Sequence, residues 1–239
     1  TGVNLGDFGK STDESFPDLM IQLEKIPEIK RYRISSIEPN LLDDHIIQFV
    51  AQSRKFLPHF HLPLQSGCNE VLAKMRRRYS REFFENRIQQ IKNHMPDAFI
   101  GVDVIVGFPG ETQRQFDRTY EFLDRLDASY YHVFPYSERV GTAAAEKRGK
   151  IPRETIRHRT NLLQNLTQQK KSSFYKKHMQ DIRDVLFEGQ YHNGKLFGFT
   201  DNYIRVESDF QSDRSGNIEK VKLERVNDRG NMEGVLHNH

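Results

Sequence analysis

Two rhythms of apolar and polar positions alternate along this chain. Phe16, Leu19, Met20 and Leu23 recur at helical spacing, as do Leu42, Ile46, Phe49 and Val50, and again Phe116, Tyr120 and Leu123. Intervals of three and four place each set on one side of a helix. Two short helices are predicted around 71–75 and 83–91. Between these stretches lie short β-rich runs at 31–36, 59–64, Phe99–Val106 and 130–134. Regular strand–helix alternation implies βα units around a parallel sheet. The units are too few for a closed eight-stranded barrel, so an open or partial barrel is predicted.

The clearest strand end is Val104-Ile105-Val106-Gly107-Phe108-Pro109-Gly110-Glu111-Thr112. Continuous hydrophobics stop in a tight Gly-Phe-Pro-Gly turn, and a helical pattern follows. Ligands of α/β folds sit at such carboxyl ends. Glycines there let backbone come close to a bound molecule. Gly141 to Pro152 reads as a loop, and Pro152-Arg153-Glu154 opens a long helix to about Met179 with Pro near its first turn. Beyond His178 the texture changes to short strand-like runs at 182–187, 196–200, 203–207, 221–226 and 235–236, separated by turns such as His192-Asn193-Gly194. That pattern predicts a small antiparallel barrel. The expected organisation is 1–142 partial barrel, 143–178 basic linker and long helix, and 179–239 small β-barrel.

Composition narrows the setting. The 239 residues allow one large domain or one medium and one small. Mean hydropathy is −0.74, and no apolar run approaches a membrane span. There is no signal-peptide pattern. A single cysteine, Cys68, excludes an intramolecular disulfide and a cysteine-rich metal site built from this chain alone. That usage fits a reducing cytoplasm. The net charge of +3 is uneven: Lys147, Arg148, Lys150, Arg153, Arg157, Arg159, Lys170, Lys171, Lys176 and Lys177 are opposed only by Glu146 and Glu154 across 143–179. Such a block is either a solvated helix face or a footprint for a polyanion.

Several predicted strand ends are polar and glycine-rich: Gln65-Ser66-Gly67, Ser36-Ile37-Glu38-Pro39, Pro135-Tyr136-Ser137-Glu138-Arg139 and Thr1-Gly2-Val3-Asn4-Leu5-Gly6. Together they describe one rim around one pocket, suited to a ligand with ribose, amine and purine parts. Cys68 stands at a helix start, where a thiolate is favoured, but a small helix-start residue reads equally simply. His59 and His61 share a strand face; they read as packing or hydrogen-bonding residues, because no third ligand is evident. Arg76-Arg77-Arg78 is either a solvated turn or a carboxylate clamp.

Pro63-Leu64-Gln65-Ser66-Gly67, Met75-Arg76-Arg77-Arg78-Tyr79, Asp103 to Thr112 and Tyr136-Ser137-x-Arg139-x-Gly141-Thr142 occur in this order. The set resembles the radical S-adenosylmethionine (SAM) tRNA methylthiotransferases over essentially the whole chain. Thr1 to Gly9 and Gly198 to Val206 resemble the branch acting on N6-threonylcarbamoyladenosine beside the anticodon. The resemblance implies a radical-SAM partial (β/α) barrel followed by a TRAM-like RNA-binding barrel. It also implies transfer of a methylthio group to a ring carbon, S-adenosylmethionine as cofactor, and two [4Fe-4S] clusters in the parent protein. The implied partner is the anticodon stem-loop of tRNA, and the implied compartment is the cytoplasm.

Carried onto this chain, the resemblance places Gly2 and Asn4 at the cofactor's amino group. Gln65 and Ser66 face its ribose and methionine part, Arg77 its carboxylate, and Ile105, Val106 and Gly107 its adenine. Tyr136 comes from the last barrel strand, and Glu38 and Arg139 are secondary candidates. Lys170, Lys171, Lys176, Lys177 and Arg205 are the RNA-binding candidates. The cluster loops expected upstream are absent, and thiolates are what hold such clusters. The expectation is therefore a catalytically incomplete C-terminal portion, ligating no cluster, with a truncated sheet edge that invites dimerisation. Two other readings are a stand-alone tRNA-binding module without catalysis and an unrelated (β/α) enzyme with a catalytic acid or base at the rim.

Overall fold

The computed structural model describes residues 4–138, 141, 149–209 and 214–237. The chain divides into two units, Thr1–Gln168 and Gln169–His239. The first contains a 3-10 turn (Leu5–Asp7), α1 (Phe16–Glu24), α2 (Asp44–Gln52), β1 (His59–Gln65), α3 (Asn69–Lys74), α4 (Arg81–His94), β2 (Phe99–Val106), α5 (Gln113–Arg125) and β3 (Tyr130–Pro135). A long helix, α6 (Arg153–Lys177), runs through the division.

Local signals place the helices. Thr112 caps α5 through a reciprocal box: its hydroxyl accepts from Gln115 N–H, and the Gln115 side chain accepts from Thr112 N–H. Ser80 and Asp43 cap α4 and α2 in the simpler way. Strands β1, β2 and β3 form a parallel sheet in that order. On one face Phe60, Leu62, Leu64, Ile100, Val102, Val104 and Tyr131 are buried under Ile47, Phe84, Ile88 and Phe122 of the helices. The opposite face is partly open, presenting His61, Asp103, Ile105, Tyr130 and His132. A parallel sheet is normally covered on both faces, so the open one is where a ligand has room.

The predicted strand at 31–36 is a correction. That segment makes only one isolated bridge, Tyr32 to Phe56. Ile34 is the one buried position within it, and Ile37, just beyond it, is the next. A spacing of three breaks the pleat's period of two, so no ladder forms.

The second unit holds β4 (Ile182–His192), β5 (Lys195–Thr200), β6 (Arg205–Asp209), β7 (Ile218–Val226) and β8 (Met232–Leu236), closed in the order β4-β5-β6-β8-β7. Its interior is Val185, Phe187, Leu196, Ile204, Val206, Val221, Leu223 and Met232, all buried. The expectation of a purely antiparallel barrel needs one change: β6 and β8 run parallel. A closed ring of five strands cannot alternate direction throughout, so one like-directed pair is forced.

Candidate functional site

The site is built where β2 ends. Gly107 has φ +83° and Gly110 φ +77°, so the chain reverses through left-handed backbone at both. The turn is pinned from below. Glu111 Oε2 accepts from Gly107 N–H at 3.1 Å and from Arg159 Nη1 at 2.9 Å. Arg159 Nη2 donates to Gln113 Oε1 at 3.1 Å, and its guanidinium lies 5.1 Å from the Phe116 ring centre. The side chains of Arg159 and Glu111 are 4% and 1% exposed. Burial pushes the Glu111 carboxyl up, against the lowering pull of the Gly107 N–H and Arg159.

Beside this turn lies a cavity of about 530 Å³, lined by Gly107, Pro109, Tyr136, Glu138, Lys150 and Ile156 among others. Its size is that of a small-molecule site, which runs from about 300 to 1,000 Å³. The Tyr136 hydroxyl is buried, with no hydrogen-bond partner among the described residues. An orphaned hydroxyl at a cavity wall is a vacancy for a polar ligand atom. The Tyr136 ring meets Phe108 edge-on, and its N–H donates to Val106 O at 2.8 Å.

The rim residues divide. Asn4, Glu38 and Arg77 come together: Asn4 Oδ1 accepts from Glu38 N–H at 3.1 Å, and Arg77 Nη1 donates to both Glu38 oxygens at 3.0 and 3.3 Å. Gln65 ends β1 at a bulge with φ +74°. Ser66 turns away from the open face: its hydroxyl lies 3.2 Å from that of Thr119 on α5 and accepts from Cys68 N–H. Ile105 is on the open face, whereas Val106 alternates into the helix-covered core. Gly2, Arg139, Thr142, Lys147 and Arg148 lie outside the described residues.

Cys68 is buried, and its thiol donates to Glu70 at 2.8 Å. Burial and Glu70 both raise its pKa, so it is a protonated helix-start residue. His59 is buried and stacks on Phe99, and burial lowers its pKa to about 3. His61 has different company. Its Nε2 is 2.6 Å from Asp103 Oδ1, and its ring stacks on that of His132 at 4.8 Å. These three residues converge from β1, β2 and β3. Only His61 of the three is singled out by sequence spacing, because its partners lie 42 and 71 positions on.

In the second unit the Arg205 guanidinium covers Phe197 at 5.1 Å, and the Lys171 ammonium covers Tyr175 at the same distance. Phe199 stacks on Tyr203 at 4.5 Å. Arg205 N–H donates to the Tyr175 hydroxyl at 2.9 Å, so Lys171 and Arg205 flank one ring, and burial, then the charge of Arg205, lowers the Lys171 pKa. Lys176 and Lys177 are exposed at the end of α6, and Lys170 is partly exposed.

Residues 8–123 match the family model described as the Radical SAM superfamily. The threonylcarbamoyladenosine tRNA methylthiotransferase MtaB of Bacillus subtilis is 36% identical over 229 residues, covering 93% of this chain and 51% of that protein. MtaB of Aquifex aeolicus is 37% identical over 227 residues, covering 95% and 52%. A tRNA-2-methylthio-N(6)-dimethylallyladenosine synthase of Lachnoclostridium phytofermentans is 34% identical over 226 residues, covering 93% and 50%. The chain thus spans about half the length of the curated relatives it matches. Residues 8–123 are a radical SAM domain, and the chain that carries it is a homologue of the tRNA methylthiotransferases.

Proposed function

We propose that this chain is the cofactor-binding and tRNA-binding portion of a cytoplasmic enzyme that adds a methylthio group to C2 of N6-threonylcarbamoyladenosine-37, in the anticodon stem-loop of tRNA. One observation carries the reading: three relatives at 33–37% identity, each covering 93% or more of the chain, bear that substrate in their names. The cavity beside Gly107 and the unpartnered Tyr136 hydroxyl support S-adenosylmethionine as the ligand. Ile105 lies along its adenine with Val106 and Gly107 at the strand end beside it, and Gln65 stands on the ribose side while the buried Ser66 hydroxyl holds the loop that follows. Asn4, with Gly2, serves the amino group. Arg77 serves the carboxylate while sharing its guanidinium with Glu38. When bound, the cofactor supplies the methyl group and the radical chemistry of the reaction. The two [4Fe-4S] clusters that the reaction requires are held by no cysteine of this chain, whose single thiol is buried against Glu70.

On the second unit, Lys170, Lys171, Lys176, Lys177 and Arg205 contact phosphate, and Phe197 offers a stacking surface beside Arg205. The chain is expected to bind tRNA weakly, with affinity falling as salt rises because cationic contacts release counterions. Five phosphate contacts correspond to a log–log slope of roughly −3.5 to −4.5. Fluorescence anisotropy of labelled tRNA between low and moderate salt measures it. Charge reversal at Lys176 and Lys177 flattens the slope by about 1.4 to 1.8. Salt-independent binding, or none at low salt, contradicts the reading. The rival, an RNA-binding module without catalysis, predicts the same tRNA behaviour but no S-adenosylmethionine binding by equilibrium dialysis.

A further inference from the structure

The open face of the β1-β2-β3 sheet is not uniform. Its carboxyl end carries an apolar pair: Ile105 and Phe134 are register partners, and Phe134 is 51% exposed. One pleat further in, Asp103 is the register partner of His132, and His61 reaches across to Asp103. The face thus has an apolar band followed by a polar one, both accessible. His61 and Asp103 are 25% and 22% exposed at their side chains.

The polar band is not a set of solvated surface groups. Asp103 Oδ1 is engaged by His61 Nε2 at 2.6 Å, which fixes the orientation of both side chains. His132 stacks on His61 and meets Tyr130 edge-on, and no hydrogen bond to its ring is found among the described residues. Burial, then the neighbouring His61, lowers the His132 pKa, so at neutral pH the ring offers one donor and one acceptor. Gly101, the register partner of Tyr130, leaves space at His132: a Cβ there would come no closer than 3.6 Å to His132 Nε2. A half-buried, pre-oriented imidazole with unused hydrogen-bonding capacity is a recognition element for a polar group.

Two substrates differ in the names of the relatives, a threonylcarbamoyl adenosine and a dimethylallyl adenosine. The first carries a ureido group, a hydroxyl and a carboxylate on N6; the second carries only hydrocarbon. We propose that the His61–Asp103–His132 cluster selects the polar N6 substituent of the target adenosine, with the exposed Phe134 lying along the base. The proposal rests on the reading of this chain as part of an adenosine-modifying enzyme, and it makes His132 and its neighbours specificity-determining rather than catalytic. A site built to hydrogen-bond a substituent rejects the analogue lacking it, because its own polar groups lose water without gaining a partner. The half-exposure of this cluster keeps the discrimination modest.

The test uses the two free nucleosides, N6-threonylcarbamoyladenosine and N6-dimethylallyladenosine, with the full 239-residue chain. Equilibrium dialysis gives the affinities, and the histidine ring signals in NMR report the location. The threonylcarbamoyl nucleoside is expected to bind about tenfold more tightly, as one or two net hydrogen bonds allow. It is also expected to shift the His61 and His132 ring signals. His132→Leu and, independently, His61→Gln bring the ratio close to one, with thermal melting showing each variant folded. Equal affinities in the wild type, including no binding of either nucleoside, overturn the proposal. So does a ratio that survives in a folded His132→Leu chain. If tRNA binding fails in the salt titration while the nucleoside preference holds, the tRNA reading falls and the selection by the open face stands.

Discussion

Replacing Arg159 with methionine is expected to destabilise the α/β unit by about 3–5 kcal/mol, the usual cost of leaving one buried charge without its partner. Arg159 donates to Glu111 Oε2 and Gln113 Oε1, and Glu111 in turn holds the Gly107 N–H. Methionine preserves the contact with Phe116 but not the charge. The penalty depends on pH in a direction that identifies its cause. Burial already raises the Glu111 carboxyl in the wild type, with Arg159 opposing the rise. Without Arg159 the folded carboxyl rises further, while the unfolded one stays near its ordinary value of 4.5. The folded variant then binds a proton more readily than the unfolded chain, so its stability falls as pH climbs from about 4.5 through the raised value. Urea denaturation of variant and wild type at acidic and at mildly alkaline pH measures the gap. It should be widest at the alkaline end and narrow on acidification. Adding Glu111→Gln removes the stranded charge and should recover much of the loss. A penalty independent of pH would mean that Arg159 acts through packing alone.

How this site was and was not legible follows from where its parts lie along the chain. The β2 run and its Gly-Phe-Pro-Gly stop announce themselves because strand, turn and helix cap are contiguous, down to the Thr112 box. The basic stretch that becomes α6 is equally visible. Its chief role in the first unit is not: Arg159 reads as one cation among many, yet it is buried against a carboxylate 48 positions earlier. No periodicity connects residues so far apart. The His61 cluster is hidden for the same reason. Spacing pairs His61 with His59, and the two do share a face, but parallel register brings Asp103 and His132 to His61 instead and leaves His59 stacked on Phe99. The 31–36 segment shows the converse failure. A β-rich run predicts a strand, but a strand needs a ladder, and Tyr32 alone forms a bridge.

The same contrast between local and distant causes makes Gly107→Ala the sharpest single substitution at the turn. Two requirements for glycine coincide there. The backbone sits at φ +83°, and an added Cβ would stand 2.6 Å from Ile156 Cγ1 and 2.8 Å from its Cδ1. Left-handed backbone costs a residue with a side chain about 1–2 kcal/mol, and overpacking adds about 1–3. A destabilisation of roughly 2–5 kcal/mol is therefore expected in urea titrations. The parts separate in a double-mutant cycle. Ile156→Ala removes all three of the atoms that a Cβ would meet, so the Gly107→Ala cost measured in that background should fall to the backbone share. A cost that stays unchanged assigns the glycine to conformation alone, and one that vanishes assigns it to the seating of α6. Neither is the sequence expectation, that this glycine lets backbone approach a ligand. That expectation predicts a different result: Gly107→Ala would keep its stability and lose S-adenosylmethionine binding in equilibrium dialysis. Because Ile156 occupies the space over Gly107 and also lines the cavity, the expected result is loss of stability, with binding weakened as the turn and α6 part.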